Sequence, residues 1–174
     1  MDEKKLIAGA KNGDESAFEE LVRRYRKPIY HLLYRLVADY MEAADLTQEV
    51  FVKMWQKLSN LRGEGSFKSW LYRIAVNEAK NHFRAKKRRK WVPLSPKLPA
   101  LDNPEKSTLA GERKKALLSA VERLPEKQRI SLVLRVWEGM DFAEIAEVMG
   151  SSAATARANY HFALVNLKKI IKKR

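Results

Sequence analysis

No cysteine occurs among the 174 residues, which excludes disulfides, thiolate zinc sites and cysteine nucleophiles and fits a reducing cytosol. Glycine and proline are scarce, at 7 and 6 residues, so together they make up roughly 7% of the chain against about 12% in average proteins. Few turns imply long helices. No stretch approaches the ~18 uncharged apolar residues that a membrane span needs, and the N-terminal MDEKKLIAGAKNGDE lacks the apolar core of a signal peptide. The chain is therefore expected to be cytoplasmic, with no membrane attachment of its own. Phosphate loops of the GxxxxGK[ST] type, GxGxxG fingerprints, HExxH and GxSxG are all missing. His31, His82 and His161 lie far apart without ligand spacing, so no cofactor, metal or catalytic activity is expected.

Positive charge is what the chain has in excess. Thirty-five Lys and Arg against 21 Asp and Glu give a net charge of +14 and a pI near 10.0. That balance points to an anionic partner, which charge alone leaves open among nucleic acid, a membrane surface and acidic proteins. Hydrophobic residues make up 45% of the chain, enough for a core rather than a disordered basic tail.

Four of the six prolines, Pro93, Pro96, Pro99 and Pro104, fall in WVPLSPKLPALDNPEKST, which cannot be helix and marks a domain boundary. Its residues 92–107 would reach about 50 Å at ~3.1 Å per residue. Charge is shared across this tether: residues 1–90 are net +8 and residues 91–174 net +6.

On the N-terminal side, Asp14 is placed to cap a helix with Phe18, Leu21, Val22 and Tyr25 on one face. Pro28 should end, kink or restart it before a second helix through Ile29, Leu32, Leu33 and Leu36. A third helix from about Glu42 to Leu58 turns Ala43, Leu46, Val50, Met54 and Leu58 inward. The loop SNLRGEGS follows, with Gly63 and Gly65 as breakers, and Ser66 can cap a long helix that runs into KKRRK. On the C-terminal side, a helix with Leu117, Val121 and Leu124 precedes one started by Pro125 that carries Ile130, Val133, Leu134 and Trp137. Gly139 ends it. Asp141 and Glu144 form a capping-box pattern for a short helix with Phe142, Ile145 and Met149. Gly150-Ser151-Ser152 then turns into a last helix whose stripe is Ala156, Tyr160, Ala163, Leu164, Leu167 and Ile171. Short helix, turn and longer helix make the helix-turn-helix pattern. The fold class is all-α, two small helical domains joined by a Pro-rich linker.

Three surfaces could carry function. In SFKSWLYRIAVNEAKNHFRAKKRRK, Phe67, Trp70, Leu71 and Ile74 share an apolar face beside a basic stripe of Arg73, Lys80, Arg84, Lys87 and Arg88, with Asn77 on the border. Cations for phosphate, rings for stacking and an amide for a base edge suit an unpaired strand; core aromatics with a solvated basic face are the plainer alternative. Asp45, Gln48, Glu49 and Val52 form an acidic and amide patch, either a protein-docking surface or a solvated face with a Glu49 to Lys53 pair. The last helix exposes Ala154, Ala158, His161, Phe162 and Val165, flanked by Thr155, Arg157 and Asn159, as a major-groove reader or merely a bundle helix would.

In the order GDESAFEELVRRYRKPIYHLLYRL, DLTQEVFVKMW, SFKSWLYRIAVNEAKNHFRAKKRR and LPEKQRISLVLRVWEGMDFAEIAEVMG, nearly the whole chain resembles a bacterial RNA polymerase sigma factor of the sigma-70 family, in the extracytoplasmic-function (ECF) group. The resemblance implies a sigma-2 domain over residues 1–91, a flexible linker over 92–107 and a sigma-4 domain over 108–174. It implies an alternative sigma factor that binds core RNA polymerase at the clamp helices of the largest subunit and at the flap. Such a factor reads the −35 and −10 promoter elements, melts the latter, and is controlled by an anti-sigma factor. By resemblance, Asp45, Gln48, Glu49, Phe51 and Val52 dock on the polymerase. Leu61, Arg62, Gly63, Ser66, Arg73, Asn77, Lys80, Asn81, Arg84, Lys87 and Arg88 serve the −10 element. Ser152, Thr155, Arg157, Ala158, Asn159, His161 and Phe162 serve the −35 element. The last helix departs from the usual GTVRSRLxRAR, since Asn159, Phe162 and Leu164 stand where arginines are common, so fewer phosphate contacts are expected there.

Overall fold

The computed structural model describes residues 1–63, 66–89 and 108–173. Gly65 and the Pro-rich segment 92–107, with the expectations placed on them, lie outside the described residues. Among the described residues every regular element is helical.

Helix α1, Glu3–Lys11, was not anticipated from the sequence; it is nine residues long and buries only Leu6 and Ala10. Asp14 caps α2, Glu15–Val37, by accepting from the backbone N–H of Ser16 and Ala17 at 3.0 and 3.2 Å. Of the outcomes expected at Pro28, an end and a restart are excluded, because α2 is one helix that continues through it. An internal proline costs about 3 kcal/mol, whereas each fully buried Leu or Ile returns roughly 1.5–3 kcal/mol. Leu21, Ile29, Leu32, Leu33 and Leu36 are all completely buried on both sides of it, so burial wins.

Ala38 takes a left-handed conformation at φ 57° and turns the chain, and Asp39 caps α3, Tyr40–Lys57. Ala43, Val50, Met54 and Leu58 face inward as expected, joined by Thr47 and Phe51, while Leu46 is only partly covered. After a 3₁₀ turn at Leu58–Asn60, the backbone N–H of Ser69 reaches the Ser66 hydroxyl at 3.4 Å at the start of α4, Phe67–Arg89.

Thr108 caps α5, Leu109–Glu122. Its buried side is Leu118, Ala120 and Val121, and the expected Leu117 is exposed, because packing against α2 and α8 turns the apolar side one residue on. Pro125 immediately precedes α6, Glu126–Val136. Gly139, at φ 65°, lets the chain double back into α7, Phe142–Met149, whose capping box is formed in both directions at 2.8 Å. Gly150, at φ 67°, ends α7, and Ser152 caps α8, Ala153–Lys172, by accepting from Thr155. The α8 stripe is corrected too: Ala156 and Ala163 are buried with Tyr160, Leu167 and Ile170 beside them, while Leu164 and Ile171 point outward. Helix α8 lies chiefly against α6 and α7, with a smaller contact to α5, so a narrow strip suffices.

The two helical groups, α1–α4 and α5–α8, do not stand apart. Helix α2 packs on α5 and α6, α4 packs on α6 and α7, and the buried residues form one continuous cluster. Arg129 of α6 donates to the carbonyl of Leu36 at 3.0 Å and lies 4.6 Å over the ring of Phe83. Glu138, just after α6, accepts from the Tyr72 hydroxyl at 2.9 Å and pairs with Arg35 at 3.4 Å.

Candidate nucleic-acid interface and docking face

Helix α4 buries Phe67, Leu71, Ile74, Ala75 and Phe83, which fixes its opposite side outward. Arg73, Asn77, Asn81 and Arg84 are exposed there, and Lys80 is half-buried. The antiparallel neighbour α3 closes a groove of about 340 Å³ lined by Lys53, Lys57, Ile74, Asn77, Glu78, Lys80, Asn81 and Arg84. Burial pulls the Lys80 ammonium below its usual range, with Lys127, Arg84 and Arg73 adding to the shift and Glu126 opposing it. Glu78 is the one acid of the groove and is ion-paired with Lys53. The groove thus offers amides among cations that outnumber its one acid, the donor set that holds a phosphodiester strand and reads a base edge. Lys53 and Lys57 were missed from the sequence. Their four-residue spacing puts them on one side of α3, yet only the pairing of α3 with α4 shows what they face.

A second cavity, about 290 Å³, opens at the N-terminal end of α4 between Asn60, Leu61, Arg62, Ser66, Ser69, Trp70 and Arg73. It brings the SNLRGEGS loop and the aromatic start of α4 together, with Gly63 exposed at its edge. The ring of Trp70 is partly covered and sits 5.6 Å from Phe67. Lys11 of α1 donates to the carbonyl of Leu61 and so anchors this loop, a role no sequence pattern signalled. Glu147 of α7 completes the lining. At the other end of α4, Lys87 and Arg88 are exposed, whereas Lys86 is drawn 3.4 Å from Glu122 of α5.

On the outer side of α3, Asp45, Gln48 and Glu49 are exposed and Val52 is 50% exposed. Phe51 is only 9% exposed and belongs to the core, so its side chain is not part of that face. The face extends instead to Met41 and to Trp55, which is 48% exposed and edge-on to Phe18 at 4.7 Å. Residues 41, 45, 48, 52 and 55 follow alternating steps of four and three, the spacing of a seam that packs along another helix. Lys53 turns to Glu78 of α4, not to Glu49.

In the helix-turn-helix, Ser152 holds Thr155 through its hydroxyl at 2.9 Å. The guanidinium of Arg157 lies 5.2 Å over Phe142, whose ring also has Arg135 4.9 Å away. Ala158, His161 and Phe162 are exposed, Phe162 by 55%, and Asn159 is half-buried. The outward surface of α8 is therefore small and apolar near its start, with one guanidinium held in place.

Residues 21–89 match the family model of Sigma-70 region 2, and residues 114–167 match that of Sigma-70, region 4. The RNA polymerase sigma-H factor of Pseudomonas aeruginosa is 35% identical over 167 residues, covering 90% of this chain and 86% of that protein. The ECF RNA polymerase sigma-E factor of Haemophilus influenzae is 34% identical over 164 residues, covering 88% and 86%. In fold the chain is similar to the sigma factor RpoE of Bartonella quintana, solved in complex with the anti-sigma factor NepR. The TM-score is 0.73 at 20% identity, over 89% of this chain and 96% of that one. With both family regions present in order and relatives matched over most of their length, the chain belongs to the sigma-70 family, in its extracytoplasmic-function group, and directs promoter-specific transcription initiation.

Proposed function

We propose that the two cavities along α4 receive the melted −10 strand. An unstacked base is captured near Leu61, Arg62, Gly63, Ser66 and Trp70, and the backbone is held by Arg73, Lys80, Arg84, Lys87 and Arg88 with Asn77 and Asn81 reading base edges. The observation that carries this reading is the groove in which amides and cations from α3 and α4 converge around a single, already paired acid. Melting is then driven by contacts that only the extruded base can make, which offset the few kcal/mol of unstacking. The seam Met41, Asp45, Gln48, Val52 and Trp55, with Glu49 beside it, docks on a helical element of core polymerase. Ser152, Thr155, Arg157, Ala158, Asn159, His161 and Phe162 present α8 to the −35 major groove, with fewer phosphate contacts than arginine-rich relatives make. The functional limits are a sigma-2 domain over 1–91, a linker over 92–107 and a sigma-4 domain over 108–174.

The chain acts by binding, without catalysis of its own, in the cytoplasm. No described helix is long and apolar enough to cross a membrane. The fold shared with a sigma factor bound to an anti-sigma factor supports control by such a partner here. Run-off transcription by core polymerase over a promoter library tests the reading. Transcripts from a defined promoter class should require the added chain, and a transcript set indifferent to its presence refutes it.

A further inference from the structure

Helix α8 packs through one strip and leaves the opposite side exposed. At ~100° per residue, Ala154, Ala158, His161, Phe162 and Val165 project away from the buried Ala156 and Ala163. All five are exposed, and His161 is the one polar side chain among them, 5.9 Å from Phe162 and edge-on to it. Between residues 153 and 167 the sequence holds a single Lys or Arg, Arg157. Its guanidinium lies 5.2 Å over the ring of Phe142 in α7, to one side of the exposed face. The Thr155 hydroxyl is also engaged, by the Ser152 hydroxyl at 2.9 Å. Cations return only with Lys168, Lys169 and Lys172, in the last turns of the helix.

The N-terminal part of a recognition helix is what reaches base edges. On the floor of the major groove the one apolar group is the C5-methyl of thymine, whereas guanine presents two acceptors, N7 and O6, that arginine or lysine satisfies. Phe162 stands at a position where the family commonly carries arginine, and a phenyl ring brings no donor. Against guanine it would bury both acceptors unpaired, while against thymine it covers a methyl. Ala158 and Ala154, one and two turns earlier on the same side, add little bulk and let the helix approach the bases closely. A protein partner would also cover an apolar face. Two of the four apolar positions are alanines, however, which offer no anchor, and the lysines beyond them suit phosphates that flank the groove. We infer that Phe162 is a specificity-determining residue of the −35 contact: with Ala158 beside it, it packs on the C5-methyl of a thymine, so the element this chain selects carries thymine, not guanine, at the base that Phe162 faces. This deepens, and rests on, the assignment of α8 to the −35 major groove.

The test uses the full chain assembled with core polymerase, and promoter DNA selected by that holoenzyme from a library randomised over the −35 region. Selected sequences should hold thymine at one fixed position. Replacing that thymine by deoxyuridine deletes the methyl alone and should weaken holoenzyme binding about fourfold, the factor for one buried carbon of this size. Because Phe162 is 55% exposed, its replacement leaves the core intact. Phe162→Ala should bind the thymine and deoxyuridine duplexes equally, and Phe162→Arg should select guanine at the same position from the library. Equal affinity of the unaltered chain for thymine and deoxyuridine at every −35 position overturns the inference. A Phe162→Ala chain that keeps the fourfold ratio overturns it too, and if that chain also binds core polymerase less tightly, Phe162 is a protein contact. A holoenzyme that selects a −35 sequence but ignores the methyl removes this inference alone, whereas one indifferent to the whole −35 sequence removes the assignment of α8 as well.

Discussion

Asn77 gains its position from what surrounds it. Its amide is exposed between Lys80, Asn81 and Arg84 across from Lys53 and Lys57, in a groove where only Glu78 is acidic. An amide there discriminates a base, whereas the cations hold any phosphate. Asn77→Ala is accordingly expected to slow open-complex formation by about tenfold, the effect of ~1.4 kcal/mol, while closed-complex binding changes little. Permanganate footprinting beside a mobility shift measures the two, and equal losses would count against base capture. On the opposite side of the bundle, Trp55 and Val52 offer apolar area flanked by Asp45 and Glu49. Trp55→Ala and Glu49→Lys should each weaken association with core polymerase by at least ~1 kcal/mol, as loss of an exposed anchor or reversal of a complementary charge does. Binding of the promoter's −35 duplex by the same variants is expected to stay at the wild-type level.

Helix α2 shows local and tertiary preferences in conflict. Pro28 has no N–H to give the carbonyl four residues earlier, yet the helix passes through because its Leu and Ile residues face a shared core. Pro28→Ala should therefore stabilise the chain by about 1–3 kcal/mol, read as a higher urea midpoint with an unchanged slope; a lower midpoint would refute a net local cost of Pro28. Helix α7 shows the two in agreement. Its capping box, visible as Asp141 and Glu144 before Phe142, forms as the spacing foretold, because each bond joins groups only three residues apart.

At the scale of the molecule, the joint between the helical groups is rich in charge. His31 of α2 faces Arg35 and Lys27 on its own helix, Lys114 of α5, and Glu138 beyond α6. Burial, then Arg35, Lys27 and Lys114, hold its imidazole below the usual range, and Glu138 only partly opposes them. The unfolded chain, with an ordinary histidine pKa near ~6.5, takes up that proton first as the pH falls. The stability this histidine contributes is thus present above about pH 6.5 and is lost below it. His31→Asn should flatten the fall in denaturation midpoint between pH 7.5 and pH 5.5, and an identical fall in both proteins would refute the assignment. Tyr72, in the same joint, is pushed well above its usual range by burial and by Glu138, so its hydroxyl remains a donor at any working pH.

The sequence by itself determined the all-α class, the caps at Asp14 and Asp141, and the order of motifs by which the family is recognised. These features rest on interactions a few residues apart, and local spacing encodes them completely. It also named the basic face of α4, since a helical projection needs only the helix. It misjudged Leu117, Leu164 and Ile171, because which side of an amphipathic helix is buried depends on how many neighbours cover it. It placed Phe51 on a surface that the core claims. Only tertiary structure decided that Lys53, Lys57 and Lys11 serve the α4 cavities, that α2 survives Pro28, and that Glu138 joins helices more than 60 residues away in sequence. Those outcomes depend on the pairing of distant elements, where burial summed over many side chains outweighs any local preference.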